Sequence, residues 1–251
     1  MLLEHKNAVV YGAGGPIGGA VARAFAREGA RVHLVGRTLD KLEAVAASIR
    51  EAGGDAETAV VDALDEDAVD AHADTLVERF GSVDVSLCVI NAREVFFTPL
   101  AEMSLADFEQ PVTTLLRSAF ITARAAARHM VRQRSGVILS FGGSGAPLRD
   151  FFLGGFQVGL AAVEVFGRQL AAELGPHGIR VVTLQSSGVV DRVEAHFAAA
   201  SEIADDISSK AILGRGATLA DVGNVAVFAA SDHARTITAT AINITAGTEV
   251  P

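Results

Sequence analysis

Apolar runs rich in β-branched residues alternate along this chain with longer stretches in which apolar positions recur three and four residues apart. The runs predict strands at Asn7–Tyr11, Arg31–Gly36, Glu57–Val61, Val83–Ile90, Gly136–Phe141, Ile179–Gln185 and Ala241–Thr245. The helical periods predict helices over Ile17–Glu28, Leu39–Ala52, Asp65–Phe80, Ser104–Arg134, Phe156–Leu174 and Leu219–Ala230. Runs such as Val9-Val10-Tyr11 lack an inside-outside alternation, which suits strands covered by helices on both faces of a parallel sheet. With no linker and no internal repeat, the pattern predicts one doubly wound α/β domain of about seven strands over residues 1–251. In such sheets ligands bind beyond the carboxyl ends of the strands, so the joins that follow the strands are where chemistry is expected.

Composition narrows the function. Acidic residues outnumber basic ones 30 to 21, for a net charge of −9, and no basic stripe interrupts the balance. Phosphate neutralisation needs clustered cations, so a nucleic-acid partner is not expected. Cys88 is the single cysteine, which rules out an intrachain disulfide; inside its apolar run it reads as a small buried hydrophobe. No stretch reads as a membrane span or a targeting signal, and the expectation is a cytoplasmic protein. The seven histidines show no metal-ligand spacing and are expected in surface or capping roles, with no metal. The acidic run Asp62–Asp67 lacks the calcium-loop pattern and reads as a helix start. Aromatic usage is lopsided, with 13 Phe, no Trp and one Tyr. Chemistry that needs a tyrosine hydroxyl must use Tyr11 or do without.

The first predicted strand runs into Gly12-Ala-Gly-Gly-Pro-Ile-Gly18 and then an Ala-rich helix. Glycines there let the backbone approach a pyrophosphate, which the free N–H groups and positive end of the helix stabilise; the alternative is a plain tight turn. Pro16 removes one of those donors, which weakens phosphate binding without abolishing it. The second strand ends in Gly36-Arg37, a small residue beside a cation, which suits the 2′-phosphate of NADP (NADPH) rather than the ribose hydroxyls of NAD. The alternative is a helix-start arginine in solvent. Asp62 closes the third strand, placed to accept a hydrogen bond from an adenine amino group.

These motifs, with Ile90-Asn-Ala-Arg93, the run Leu170–Val181, Leu213-Gly-Arg215, Phe228–Asp232 and Asn243–Gly247, resemble the short-chain dehydrogenase/reductase family over nearly the whole chain. The resemblance implies a single Rossmann domain, with a dinucleotide-binding half over about 1–135 and a substrate-side half over about 136–251. It implies cofactor contacts at Gly12, Gly14, Ile17, Gly18, Arg37, Asp62, Ala63 and Asn91. It also implies a small-molecule substrate and a homodimer or homotetramer built on the two long helices. The Ala-rich faces of Thr122–Met130 and Ala161–Ala172 would allow close approach there.

The same resemblance exposes departures. The family's catalytic Asn, Ser, Tyr and Lys fall on Leu115, Gly143, Phe156 and Leu160, none of which carries the functional group. The family's Pro-Gly after the sixth strand is Ser186-Ser187, and Arg93 replaces a glycine near the nicotinamide. Phe156, Leu160 and Val163 then form an apolar stripe toward the substrate crevice. Two side chains are candidates for the missing proton chemistry. Ser144 either swings to the vacant serine position or is a loop hydroxyl. Asp150 either caps the following helix or faces the crevice, since some family members reduce conjugated double bonds with a carboxyl group or water as proton source. Arg93-Glu94 either holds an anionic group or forms an internal pair. Two functions follow: an NADP(H)-dependent oxidoreductase with a non-standard proton path, acting on an activated double bond or carbonyl of a small apolar substrate, or a degenerate scaffold. The latter would be a binding or partner subunit, or a non-redox cyclase or isomerase.

Overall fold

The computed structural model describes residues 1–143, 150–192 and 200–249. Seven strands are β1 (Asn7–Tyr11), β2 (Arg31–Gly36), β3 (Asp55–Val60), β4 (Val85–Cys88), β5 (Gly136–Gly143), β6 (Ile179–Ser186) and β7 (Thr240–Asn243). All pair in parallel, in the order β3-β2-β1-β4-β5-β6-β7. The chain builds outward from β1 to β3, then crosses back to β4 on the other side. That reversal opens a crevice between the carboxyl ends of β1 and β4.

The helices are α1 (Pro16–Arg27), α2 (Leu39–Glu51), α3 (Glu66–Phe80), α4 (Leu105–Gln133), α5 (Gly154–Leu174), α6 (Ala200–Lys210) and α7 (Leu219–Ala230). They make two cores. On one face of the sheet Phe25 of α1, Ile49 of α2 and Val222 of α7 pack against Val10, Leu34 and Leu184. On the other, Leu76 of α3, Ile121 of α4 and Ala171 of α5 cover Val9, Val35 and Ile138. Side chains start several helices: Asp65 accepts from the Ala68 N–H, Ser104 from Asp107, and Thr218 forms a reciprocal capping box with Asp221.

The expected elements are present, with no boundary moved by more than two residues; β4 shortens most, each end retreating by two. Helix α6 was not expected. Its sequence, ASEIADDISSK, offers little apolar period beyond Ile203 and Ile207, and a Lys210–Asp206 pair one turn apart supports it. The histidine expectation needs correction. His33 lies buried in β2 against the Phe80 ring at 4.9 Å, and its Nε2 has no hydrogen-bond partner. His129 is also buried, 2.9 Å from Asp74. A strand interior or inward helix face takes an imidazole when an aromatic ring or a carboxylate receives it, and spacing along the chain does not reveal that partner.

Of the two expected helix-pairing faces, the one on α4 turns inward, while Ala161 and Ala172 of α5 are exposed. Thr122, Ala123, Ala125, Ala126 and Met130 are buried in the chain's own core. Helices α4 and α5 also expose larger apolar side chains, among them Leu116, Phe120, Val158 and Val165. Among the described residues no helix is long and apolar enough to cross a membrane, and no three metal-ligating side chains converge.

Candidate functional site

The switch point between β1 and β4 opens into a cleft of about 880 Å³, within the range of ligand sites. One end is built by the β1–α1 loop. Gly12 has φ +87°, and a Cβ there would drive into the Val89 carbonyl oxygen. A Cβ on Gly18 would likewise strike the Gly12 carbonyl. Helix α1 begins at Pro16 behind Gly15, with no side-chain cap. Its first-turn N–H groups at Ile17 and Gly18 therefore face the cleft with no helical carbonyl of their own to bond. The proline occupies the first helical position, where a missing N–H costs least.

Around this cradle stand three cations, Arg23, Arg37 and Lys41. None forms an ion pair among the described residues. Arg37 follows β2 directly, while Arg23 and Lys41 escaped sequence reasoning. A signal was available: Gly15, Gly19 and Arg23 are four apart on α1, and a Cβ on Gly14 would lie 3.0 Å from the Lys41 Cβ. Asp62 lines the same end, its Oδ1 accepting from the Leu64 N–H at 3.0 Å, so its own turn orients the carboxylate. Ala63 and Gly14 also border it. Asn91 lines the cleft past β4, and its Oδ1 accepts from the Arg93 N–H at 2.7 Å.

At the other end strand register sets a polar row. Tyr11 pairs with Cys88, Cys88 with Ser140 and Ser140 with Thr183, all at the same level of the sheet. Tyr11 is 2% exposed, with His72 edge-on at 6.3 Å. Burial, then the nearby Cys88 and Asp70, push its hydroxyl well above the ordinary tyrosine range, so it is a poor proton donor or acceptor at neutral pH. Burial likewise raises the Cys88 thiol, beside Ser118 and Thr122. The Ser140 hydroxyl is committed to Thr183 Oγ1 at 3.0 Å.

Above this row the wall is hydrocarbon. Leu115, Phe156, Leu160 and Val163 line it with Gly143 at the end of β5. Helix α5 comes close to α4 because Gly159 has no Cβ; one there would be 2.9 Å from Leu115 Cδ1. Ser144 lies outside the described residues. Asp150 is not among the described residues that line the cleft. It accepts from Lys210 Nζ at 2.9 Å, and α5 starts behind Leu153 without a side-chain cap, so the capping role is not met. Arg93 and Glu94 both line the cleft, but Arg93 forms no ion pair among the described residues, so the internal pair is not met either.

Comparison with known proteins follows this geometry. The family model described as enoyl-(acyl carrier protein) reductase matches residues 12–249. The chain is similar to L-rhamnose 1-dehydrogenase (NAD(P)(+)) of Azotobacter vinelandii, 32% identical over 98% of this chain and 98% of that protein. It is 29% identical to D-threitol dehydrogenase of Mycolicibacterium smegmatis, over 94% of this chain and 89% of that one. Among solved structures, a short-chain type dehydrogenase/reductase from Mycobacterium marinum superposes with a TM-score of 0.86 at 27% identity, covering 99% of this chain and 97% of that chain. With the parallel sheet, the glycine cradle and the cleft at the switch point, these matches assign the chain: it belongs to the short-chain dehydrogenase/reductase family of oxidoreductases.

Proposed function

We propose that this chain is a cytoplasmic NADP(H)-dependent reductase that acts on an activated double bond or carbonyl of a small apolar substrate, by a proton path outside the family's four positions. The observation that carries the cofactor assignment is the trio Arg23, Arg37 and Lys41, without ion pairs among the described residues, beside a glycine cradle that any Cβ would fill. Guanidinium and ammonium groups there suit a 2′-phosphate, where a carboxylate would suit ribose hydroxyls. The Ile17 and Gly18 N–H groups would hold the pyrophosphate, Asp62 the adenine amino group, and Asn91 the far ribose. When bound, this cofactor supplies hydride chemistry.

The chain's own residues do the rest. Leu115, Phe156, Leu160 and Val163 exclude water and hold an apolar body. They offer no side-chain donor to a developing oxyanion, and a positioned general acid contributes about 10²–10⁴-fold. A double bond polarised by its own substituent suffers least from that loss. The proton comes from water, Ser144 or Asp150, the last only by leaving its contact with Lys210; an Asp150→Asn variant with full turnover removes Asp150. The four hydrocarbon positions favour a second reading, a scaffold with non-redox or partner-binding work. Fluorescence titration decides between them: NADPH binds at micromolar levels and NADH at least tenfold more weakly, whereas no NADPH binding at millimolar concentration ends the oxidoreductase reading. We also assign Leu116, Phe120, Val158 and Val165 to a homodimer or homotetramer contact. A monomeric sedimentation coefficient at micromolar protein would refute that.

A further inference from the structure

Non-glycine residues at left-handed φ are uncommon, and for bulky side chains they mark a backbone held against its preference. Three of them lie just after β4 and just before α5, Arg93 at +56°, Phe97 at +60° and Phe152 at +52°, and of these Arg93 lines the cleft. Two loops supply them, one after β4 and one before α5, and the loops are joined by a hydrogen bond from the Phe97 N–H to the Phe151 carbonyl at 2.8 Å. The Phe97 ring packs edge-on to Phe151 at 5.8 Å, and both Phe97 and Phe152 are more than half exposed.

Arg93 is the most firmly fixed of the three. The Asn91 side chain accepts from its N–H at 2.7 Å. Oriented to satisfy its neighbours, the Gln110 amide donates to the carbonyls of Ala92 at 3.2 Å and Arg93 at 3.3 Å, while its oxygen accepts from the Thr114 hydroxyl at 3.0 Å. Thus two polar side chains of α4, one of them buried, and one of the loop hold an arginine in a strained pose. Its guanidinium lines the cleft with none of its five donors in an ion pair among the described residues. An arginine whose backbone is held at this expense, in the same cleft lining as Leu115 and Phe156, gives one ligand a cation and an apolar surface.

We propose that Arg93 is the substrate's anion anchor, and that the substrates are carboxylates, or similar monoanions, carried on an apolar body. The carboxylate takes the guanidinium fork while the body lies on the Leu115–Phe156–Leu160 wall. The pyrophosphate of a dinucleotide has its own donors in the α1 first turn, which leaves Arg93 to the substrate. The inference deepens the proposed function and rests on its placing of substrate against that wall.

Octanoate and its uncharged counterpart octanamide are the probes, measured by titration calorimetry with and without NADPH on the full chain. Wild type binds octanoate at least tenfold more tightly than octanamide. Arg93→Gln erases the difference and leaves octanamide affinity unchanged, and Arg93→Lys keeps part of it, since an ammonium lacks the planar fork. Circular dichroism of each variant confirms that it is folded. Equal binding of the two probes to wild type, a preference that survives in Arg93→Gln, or no octanoate binding at millimolar concentration overturns the proposal. So does a loss of NADPH affinity in Arg93→Gln with octanoate binding intact, which would give the anion to the cofactor. A wild type that prefers octanoate yet binds no NADPH would sink the oxidoreductase reading and leave this one standing.

Discussion

One end of the cleft is lined by Gly12, Gly18, Arg37 and Asp62, whereas at the other Leu115, Phe156 and Leu160 present hydrocarbon beside Gly143. The contrast shows which residues carry information. Gly12 and Gly18 are required by packing whether or not a ligand binds, because a Cβ on either would strike backbone. Their presence therefore says more about the fold than about the cofactor. Arg23, Arg37 and Lys41 are exposed and form no ion pair among the described residues, so packing gives no reason for them. At the other end Leu160 and Val163 are each 4% exposed, buried side chains that form part of the cleft wall. One end carries cations that internal packing does not explain; the other is hydrocarbon that internal packing does explain.

That contrast can be broken by rebuilding the substrate end. A triple variant, Gly143→Ser, Phe156→Tyr and Leu160→Lys, should raise ketone reduction with NADPH by about 10²-fold or more, the scale of a restored general acid. A rate still at background would mean that the backbone there has moved as well as the side chains.

Acid sharpens the contrast from the side of the glycine loop, because β2, which ends just before Arg37, contains buried His33. Burial, then the nearby His72 and Arg31, lower its pKa from 6.5 to about 4. The unfolded chain takes the proton first, so the contribution is intact above pH 6.5 and is lost progressively as pH falls toward 4. The loss reaches up to about 3 kcal/mol. His72, also lowered by burial, adds in the same direction. Urea melts between neutral and acid pH should show this slope, and His33→Leu should flatten it; an unchanged slope in that variant refutes the assignment.

Smaller effects follow. Arg37→Gln should weaken NADPH about tenfold with NADH unchanged, the worth of roughly one charge-assisted hydrogen bond; equal losses for both cofactors would remove Arg37 from the phosphate site. Lys210→Met, which breaks the contacts with Asp150 and Asp206, should cost less than about 1 kcal/mol in thermal melts because the pair is substantially exposed. A larger cost would tie α6 to the substrate end more tightly than its geometry implies.

Most of the architecture was legible because both periodicities are strong. The five residues of β1 are all buried, and a run without alternation announced that. Asp65, Ser104 and Thr218 cap helices just where the apolar period begins, so the starts could be read to within a residue. Helix α6 escaped because two isoleucines four apart do not make a period. The alanines of α4 misled because small residues pack equally well against the chain's own α5 or another copy, and composition does not say which. Within the site, single residues directly after strands were readable, as with Arg37 and Asp62, since the sheet fixes where they emerge. Arg23, Lys41 and Gln110 were not, because they reach the cleft from helices whose rotation is set by packing. Asp150 could be flagged as a carboxylate near α5, but its partner Lys210 is 60 residues away in sequence.

The left-handed arginine and phenylalanines have a practical consequence for anyone selecting hardier versions of this enzyme. Each such residue carries about 1–2 kcal/mol of backbone cost. Glycine at positions 93, 97 or 152 would remove it, with part of the gain returned to the freer unfolded chain. A library screened for heat resistance alone should therefore enrich glycine at these three sites, and the survivors would be the sturdiest molecules and the least able to tell one substrate from another.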